Sequence, residues 1–312
     1  MKHLLLAEYA RTPWALHPTA LAMFSMVLTN WAQGIKPSAE VLAGIEQDKQ
    51  AREARRQQAA QASSGGIAVL PMYGIITQRG NMADDISGPG SCSTQRFAQS
   101  LRSAMADSTI GQVLIDIDSP GGSVYGVQEL ADEIYQARAT KPIIGISNSL
   151  CASAAYWLGS ACSELYCTPS GEAGSIGVYT AHTDLSKAME ASGMSVELIA
   201  AGKYKTEGNP YGPLDDEARA AIQASVDNYY SMFTKAVAKG RGVGVADVRD
   251  GFGQGRCLSA TEAQAAKMVD GVMTFDEVVS KMQKAARASS RSSAVANTPR
   301  LSAARNSLAI LG

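Results

Sequence analysis

Residues 113–138 read VLIDIDSPGGSVYGVQELADEIYQAR, and a change of character half-way along them decides the fold. The first six positions are a near-continuous apolar run of strand length. Such a run marks a strand buried on both faces, unlike the strict alternation of a strand with one wet face. The turn Ser119-Pro120-Gly121-Gly122 follows, where proline fixes one backbone angle and two glycines open conformations closed to other residues. From Val124 onward the apolar spacing becomes that of a helix. Strand, tight turn and helix in one stretch predict an α/β protein with a mainly parallel sheet, and sites in such sheets gather where strand ends meet helix starts.

The same alternation continues outward. Strands are expected over 67–76, 113–118, 143–147, 165–168, 176–179 and 196–200. Helices are expected over 94–106, 124–138, 153–161, 185–192 and 215–240. The run PIIGIS at 142–147 repeats the pattern of VLIDID. Residues 1–64 read as a helical extension and linker, with an amphipathic helix over 18–32 whose Leu21, Phe24, Met26 and Leu28 pack on a neighbour. Its charged end, EQDKQAREARRQQAAQASSGG, suits a solvated helix with a Ser/Gly exit. Residues 65–284 form the main domain. Residues 285–312, rich in Ala, Ser and Arg without apolar periodicity, read as a disordered tail.

Composition narrows the partners. The 312 residues carry 28 Lys+Arg against 29 Asp+Glu, a formal net charge of -1, so no bulk field favours nucleic acid. The apolar stretch 14–31 is broken by His17, Pro18, Thr19 and Asn30 and is too polar to span a bilayer, so a soluble protein without stable membrane insertion is expected. The five cysteines lack a CxxC pair, which fits reduced thiols in a cytoplasmic core better than a zinc site. Only His3, His17 and His182 are available as imidazole bases.

Four stretches carry candidate chemistry. The SPGG turn presents backbone N–H groups, as an oxyanion hole would and as any tight strand-to-helix turn does. In SNSLCASAAYWLGSACSELYCTP (147–169), Ser153 sits among small residues at a helix start, where the Ala154 amide also becomes available. GEAGSIGVYTAHTDLS (171–186) sets Ser175 between apolar and glycine positions. IAAGKYKTEGNPYGPLDDEARAAI (199–222) places Lys203 and Lys205 in a Gly/Pro-rich loop. Singly, each reads as packing or as a solvated loop.

Together, in this order, they resemble the signal peptide peptidase A (protease IV) family of serine–lysine peptidases. The resemblance runs over about 65–280 and includes RCLSATEAQAAKMVDGVMTFDEVV (256–279). GNPYGPL and the N-terminal TPWALHPTALAMF point to the phage branch, the minor capsid protein C-like head-maturation proteases. It implies a crotonase/Clp-protease-like fold of repeated ββα units, no cofactor and no metal. It assigns Ser153 as nucleophile, Lys205 as base, Ser175 as the lysine's hydrogen-bond partner, and Gly122 (or Gly121) with Ala154 as the oxyanion hole. ASAAYW stands where many relatives have ASGGYY, a departure that keeps the site small. It further implies a homo-oligomeric ring with active sites shared between subunits. Protein substrates such as capsid scaffold and portal proteins would be met in the host cytoplasm or procapsid.

Three rivals follow from the same residues. A Ser–His–Asp triad would use His182. An acyl-coenzyme A-binding crotonase relative would use the SPGG turn and leave Ser153, Ser175 and Lys205 without a role. A capsid scaffolding or assembly protein would use the helical N-terminal region and the tail. Within the peptidase reading, a bacterial signal-peptide-degrading role is the alternative to capsid maturation.

Overall fold

The computed structural model describes residues 12–35, 66–79 and 91–296, with scattered positions between 38 and 50. A short strand β1 (Trp14–Leu16) and helix α1 (Pro18–Gln33) come first. Then follow β2 (Ile67–Tyr73), β3 (Ile75–Thr77), β4 (Ser91–Ser93) and α2 (Thr94–Ala106). The centre is β5 (Gln112–Ser119), β6 (Gly121–Ser123), α3 (Val127–Ala137), β7 (Ile143–Ala152) and α4 (Ala154–Gly159). β8 (Glu164–Cys167), β9 (Glu172–Gly174), α5 (Ser186–Ala191) and the long α6 (Asp216–Arg241) lead onward. The described chain closes with α7 (Val245–Gly251), β10 (Cys257–Ser259), α8 (Ala260–Ala265), β11 (Gly271–Val272) and α9 (Phe275–Ala296).

In the larger sheet β2, β5 and β7 are parallel neighbours. β7 serves two further partners in turn, β8 along 144–147 and β9 along 150–152. β11 adds to β8 in parallel, and β10 closes antiparallel on β9. A smaller sheet orders β1-β6-β3-β4, with β1 alone antiparallel. The architecture is thus α/β with mainly parallel strands, as the 113–138 pattern demands.

Burial explains the apolar runs. Leu114, Ile115 and Ile117 of β5 are wholly buried, because Leu114 faces α9 while its neighbours face the opposite layer. The α9 layer sets Val278, Val279 and Met282 against Ile67, Ile144 and Ile146, and the Gln112 side chain donates to the Met282 carbonyl at 2.9 Å. Asp116 is buried mid-strand; the Tyr73 hydroxyl donates to its carboxylate, supplying the partner that a buried carboxylate needs. On the opposite face Trp157 of α4 stacks on Phe233 of α6, ring centroids 4.5 Å apart. Such a pair contributes about 0.5–1.5 kcal/mol beyond its buried area.

Several expectations need correction. Residues 196–200 form no strand; among the described residues no strand pairs with them, and Ile199 is 93% exposed. Residues 176–178 are irregular, and Tyr179 makes only an isolated bridge to Trp14. The SPGG turn does not run straight into a helix: Gly121–Ser123 form β6, and α3 begins at Val127 after Gly126 in the left-handed region. The last helix runs to Ala296, and the rest of the expected tail, 297–312, lies outside the described residues. The N-terminal helix is present, but Met26 is exposed, and the side chains of Leu21, Phe24 and Leu28 lie outside those described. The linker expected up to residue 64 falls mostly outside the described residues as well.

Candidate active site

β7 runs to Ala152, where the chain turns sharply into α4 with Ser153 at the corner. Ser153 has φ 57 and ψ -118, a positive φ that costs a non-glycine residue about 1–3 kcal/mol. Two bonds hold the corner: the Ser153 amide donates to the Gly174 carbonyl at 2.7 Å, and the Trp157 amide donates to the Ser153 carbonyl at 2.9 Å. The side chain is 1% exposed, and its Oγ has no hydrogen-bond partner among the described residues. An orphaned buried hydroxyl costs about 1–3 kcal/mol. Strain and an unmet hydroxyl at one residue are what a reactive position shows and a packing serine does not.

The neighbours come from three other segments. The β7–β9 register pairs Ala152 with Gly174, so Ser175 follows Gly174 at the same strand ends as Ser153. Ser175 is also buried with φ 54, and its amide donates to the Arg256 carbonyl at 2.8 Å. Gly121 lies against the serine corner: a Cβ there would meet the Ala154 amide nitrogen and the Ala152 carbonyl oxygen, each at 2.9 Å. Its own amide donates to Ser119 Oγ at 3.2 Å. Gly122 is pressed on β3, where a Cβ would fall 1.9 Å from the Ile76 carbonyl oxygen. Ala154 opens α4, and the first amides of a helix have no partner within it.

The fold therefore gathers Ser153, Ala154, Ser175, Gly121 and Gly122. It does not bring Lys205 to them. Lys205 is exposed on the 201–208 turn, its amide donating to the Gly202 carbonyl at 3.1 Å, and Ser153 Oγ has no partner of any kind among the described residues. Lys203 is no substitute base: Glu217 at 2.8 Å and the Tyr204 hydroxyl at 2.9 Å raise its amine above the usual lysine range and keep it charged. His182 places Nε2 3.2 Å from the Gly212 carbonyl, on the 208–214 loop.

All five cysteines are free, and burial pushes Cys162 up to about 12 and Cys167 up to about 11. Among the described residues no cluster of His, Cys, Asp or Glu could hold a metal, and no helix is long and apolar enough to cross a membrane.

One participant escaped the sequence reading. β1, Trp14–Leu16, is buried between β6 and Tyr179, beside the serine corner. The three-residue run Trp-Ala-Leu between Pro13 and Pro18 is too short for its spacing to distinguish a strand from the start of the apolar helix at 18.

The layers and the serine corner define an α/β protein with mainly parallel strands and a strained, buried serine at a strand-to-helix turn. Residues 135–289, just under half of the chain, match the model for peptidase family S49. It is 33% identical over 220 residues to the capsid assembly protease C of Escherichia phage lambda, a match covering 70% of this chain and 49% of the relative. The head-tail preconnector protein GP5 of Enterobacteria phage P21 is 37% identical over 180 residues, covering 58% and 36%. A putative signal peptide peptidase SppA of Enterococcus faecium is 25% identical over 72% of this chain and 64% of its own length. The chain thus spans about half the length, or less, of the two phage relatives.

Proposed function

We propose that this chain is a serine endopeptidase of the capsid-maturation type, with Ser153 as nucleophile and Lys205 as base. The observation that carries the reading is Ser153 itself, strained, buried and unpartnered between Ala154 and Gly121. Neutral Lys205 takes the Ser153 proton as Oγ attacks the peptide carbonyl. The Gly122 and Ala154 amides receive the oxyanion. Lysine then returns the proton to the leaving amine, and water hydrolyses the acyl-enzyme. Ser175 holds the lysine amine in place.

Because Lys205 is exposed within its own chain, the base is supplied by a neighbouring copy in a ring. Burial at that contact would also lower the amine's pKa toward neutrality, as a lysine base requires. The exposed apolar side chains Met194, Val196, Leu198 and Ile199, just ahead of the lysine turn, support such a contact. The names of the two phage relatives, a capsid assembly protease and a head-tail preconnector protein, support protein substrates in a capsid context; capsid scaffold and portal proteins, met in the host cytoplasm or procapsid, are the substrates of this reading.

The test is cleavage of those proteins by purified enzyme. Ser153→Ala and Lys205→Ala should each reduce turnover roughly a thousand-fold or more, and mixing the two inactive chains should restore part of it. Normal processing by Lys205→Ala would overturn the dyad.

A further inference from the structure

The strand that the sequence reading passed over lies where a peptide substrate would lie. β1 runs antiparallel to β6, with Trp14 opposite Ser123, Ala15 opposite Gly122 and Leu16 opposite Gly121. Flanking bonds fix which pairs are hydrogen-bonded: the His17 amide donates to the Pro120 carbonyl at 2.8 Å and the Val124 amide to the Pro13 carbonyl at 3.2 Å. Hydrogen-bonded pairs alternate in an antiparallel ladder, so the pair between them, Ala15 with Gly122, is hydrogen-bonded too. The Gly122 amide is therefore directed at the Ala15 carbonyl.

The other edge of β1 is also engaged. Trp14 donates to the Tyr179 carbonyl at 2.8 Å and accepts from the Tyr179 amide at 3.0 Å. An extended segment held on both edges beside a nucleophile has the geometry of a bound substrate strand. A Cβ placed on Gly121 would meet the Ala15 carbonyl oxygen at 2.3 Å and the Ala154 amide nitrogen at 2.9 Å, so both crowd the same Cα at the serine corner. Trp14, Ala15 and Leu16 are 4%, 0% and 1% exposed, so the seat is filled.

We propose that Trp14–Leu16 occupies the substrate cleft of its own chain, in the register of a peptide whose Ala15–Leu16 bond faces Ser153, and that it must leave before another peptide enters. This rests on the serine-peptidase reading and adds a tethered blocker to it. The same register describes the peptide the cleft accepts: an extended segment with a small residue at the position of Ala15, between larger apolar ones.

The test is the rate at which a fluorophosphonate labels Ser153 in full-length wild type, Leu16→Asp and Ala15→Pro, with Ser153→Ala as the blank. Aspartate is not tolerated where Leu16 is buried, and proline removes the Ala15 amide from the ladder. Both variants should label about ten-fold faster or more, through release of a locally folded segment. A synthetic peptide of residues 12–18, TPWALHP, should slow them again. Equal rates in wild type and variants, or no slowing by the peptide, overturn the blocker and leave the peptidase reading standing. Absence of labelling at Ser153 in every folded chain overturns both. Should neither variant fold, wild type decides: amide exchange at Gly122 and labelling of Ser153 must share one opening step. Labelling that outpaces that exchange contradicts the proposal.

Discussion

Gly122 shows how little freedom the site residues have. Its Cα approaches β3 so closely that any side chain would overlap the Ile76 carbonyl, 1.9 Å from the added carbon, and backbone cannot rotate away as a side chain does. Gly122→Ala should therefore destabilise the fold by about 1–3 kcal/mol, the usual cost of overpacking, seen as a lower urea midpoint. At this scale the sequence was informative about residue types and silent about state. The small neighbours of Ser153 and the glycine pair were visible as a pattern. The positive φ at Ser153 and Ser175 was not, because nothing in a serine's identity signals a left-handed backbone. Nor was the distance of Lys205 from Ser153, which depends on how the exposed 201–208 turn lies.

Elements were legible where burial dictates pattern. β5 and β7 announced themselves as apolar runs, and α2 spans the residues its spacing predicts. Residues 176–179 and 196–200 misled because apolar content alone does not make a strand: only Tyr179 of the first pairs, as a bridge to Trp14, and among the described residues no strand pairs with the second. The long helix α6 was clear, but its docking was not. Gly240 sits against the end of α4, where a Cβ would meet the Ser160 carbonyl oxygen at 2.2 Å. The two effects of Gly240→Ala oppose one another: better helix propensity gains about 1 kcal/mol, and overpacking against backbone costs about 1–3 kcal/mol. The net expectation is a loss of stability, and thermal denaturation measures its sign.

The C-terminal end of α6 is fastened by Arg241, which forks onto Asp270 at 2.8 and 2.9 Å while Asp270 also accepts from the Leu165 amide at 2.7 Å. Burial alone would raise the Asp270 carboxyl. Arg241 and the Leu165 amide outweigh it and hold the pKa below the usual carboxylate range. A depressed folded pKa stabilises above the unfolded value, near about 4, and that contribution is lost as pH falls through the folded one. Asp270→Asn should thus be less stable than wild type at pH 7, with the gap closing below about pH 4. A gap independent of pH would show that the pair contributes shape and not charge.

At the scale of the whole molecule the parallel sheet, its two helical layers and the helix after residue 18 were readable from periodicity alone. The smaller sheet was not, since all four of its strands are three-residue segments joined only in three dimensions, and β1 reaches it from more than a hundred residues away in sequence. That distance hid the feature with the largest consequence for access to the serine. The two halves of the proposed dyad likewise separate at this scale, Ser153 in the core and Lys205 on the surface. The most direct measurement is site-resolved mass spectrometry of the wild-type and Leu16→Asp chains after prolonged exposure to a fluorophosphonate, each with and without Lys205→Ala. An adduct confined to Ser153 and strongly diminished by Lys205→Ala is the predicted result. No adduct at Ser153 in either folded chain, or one undiminished without Lys205, would contradict it.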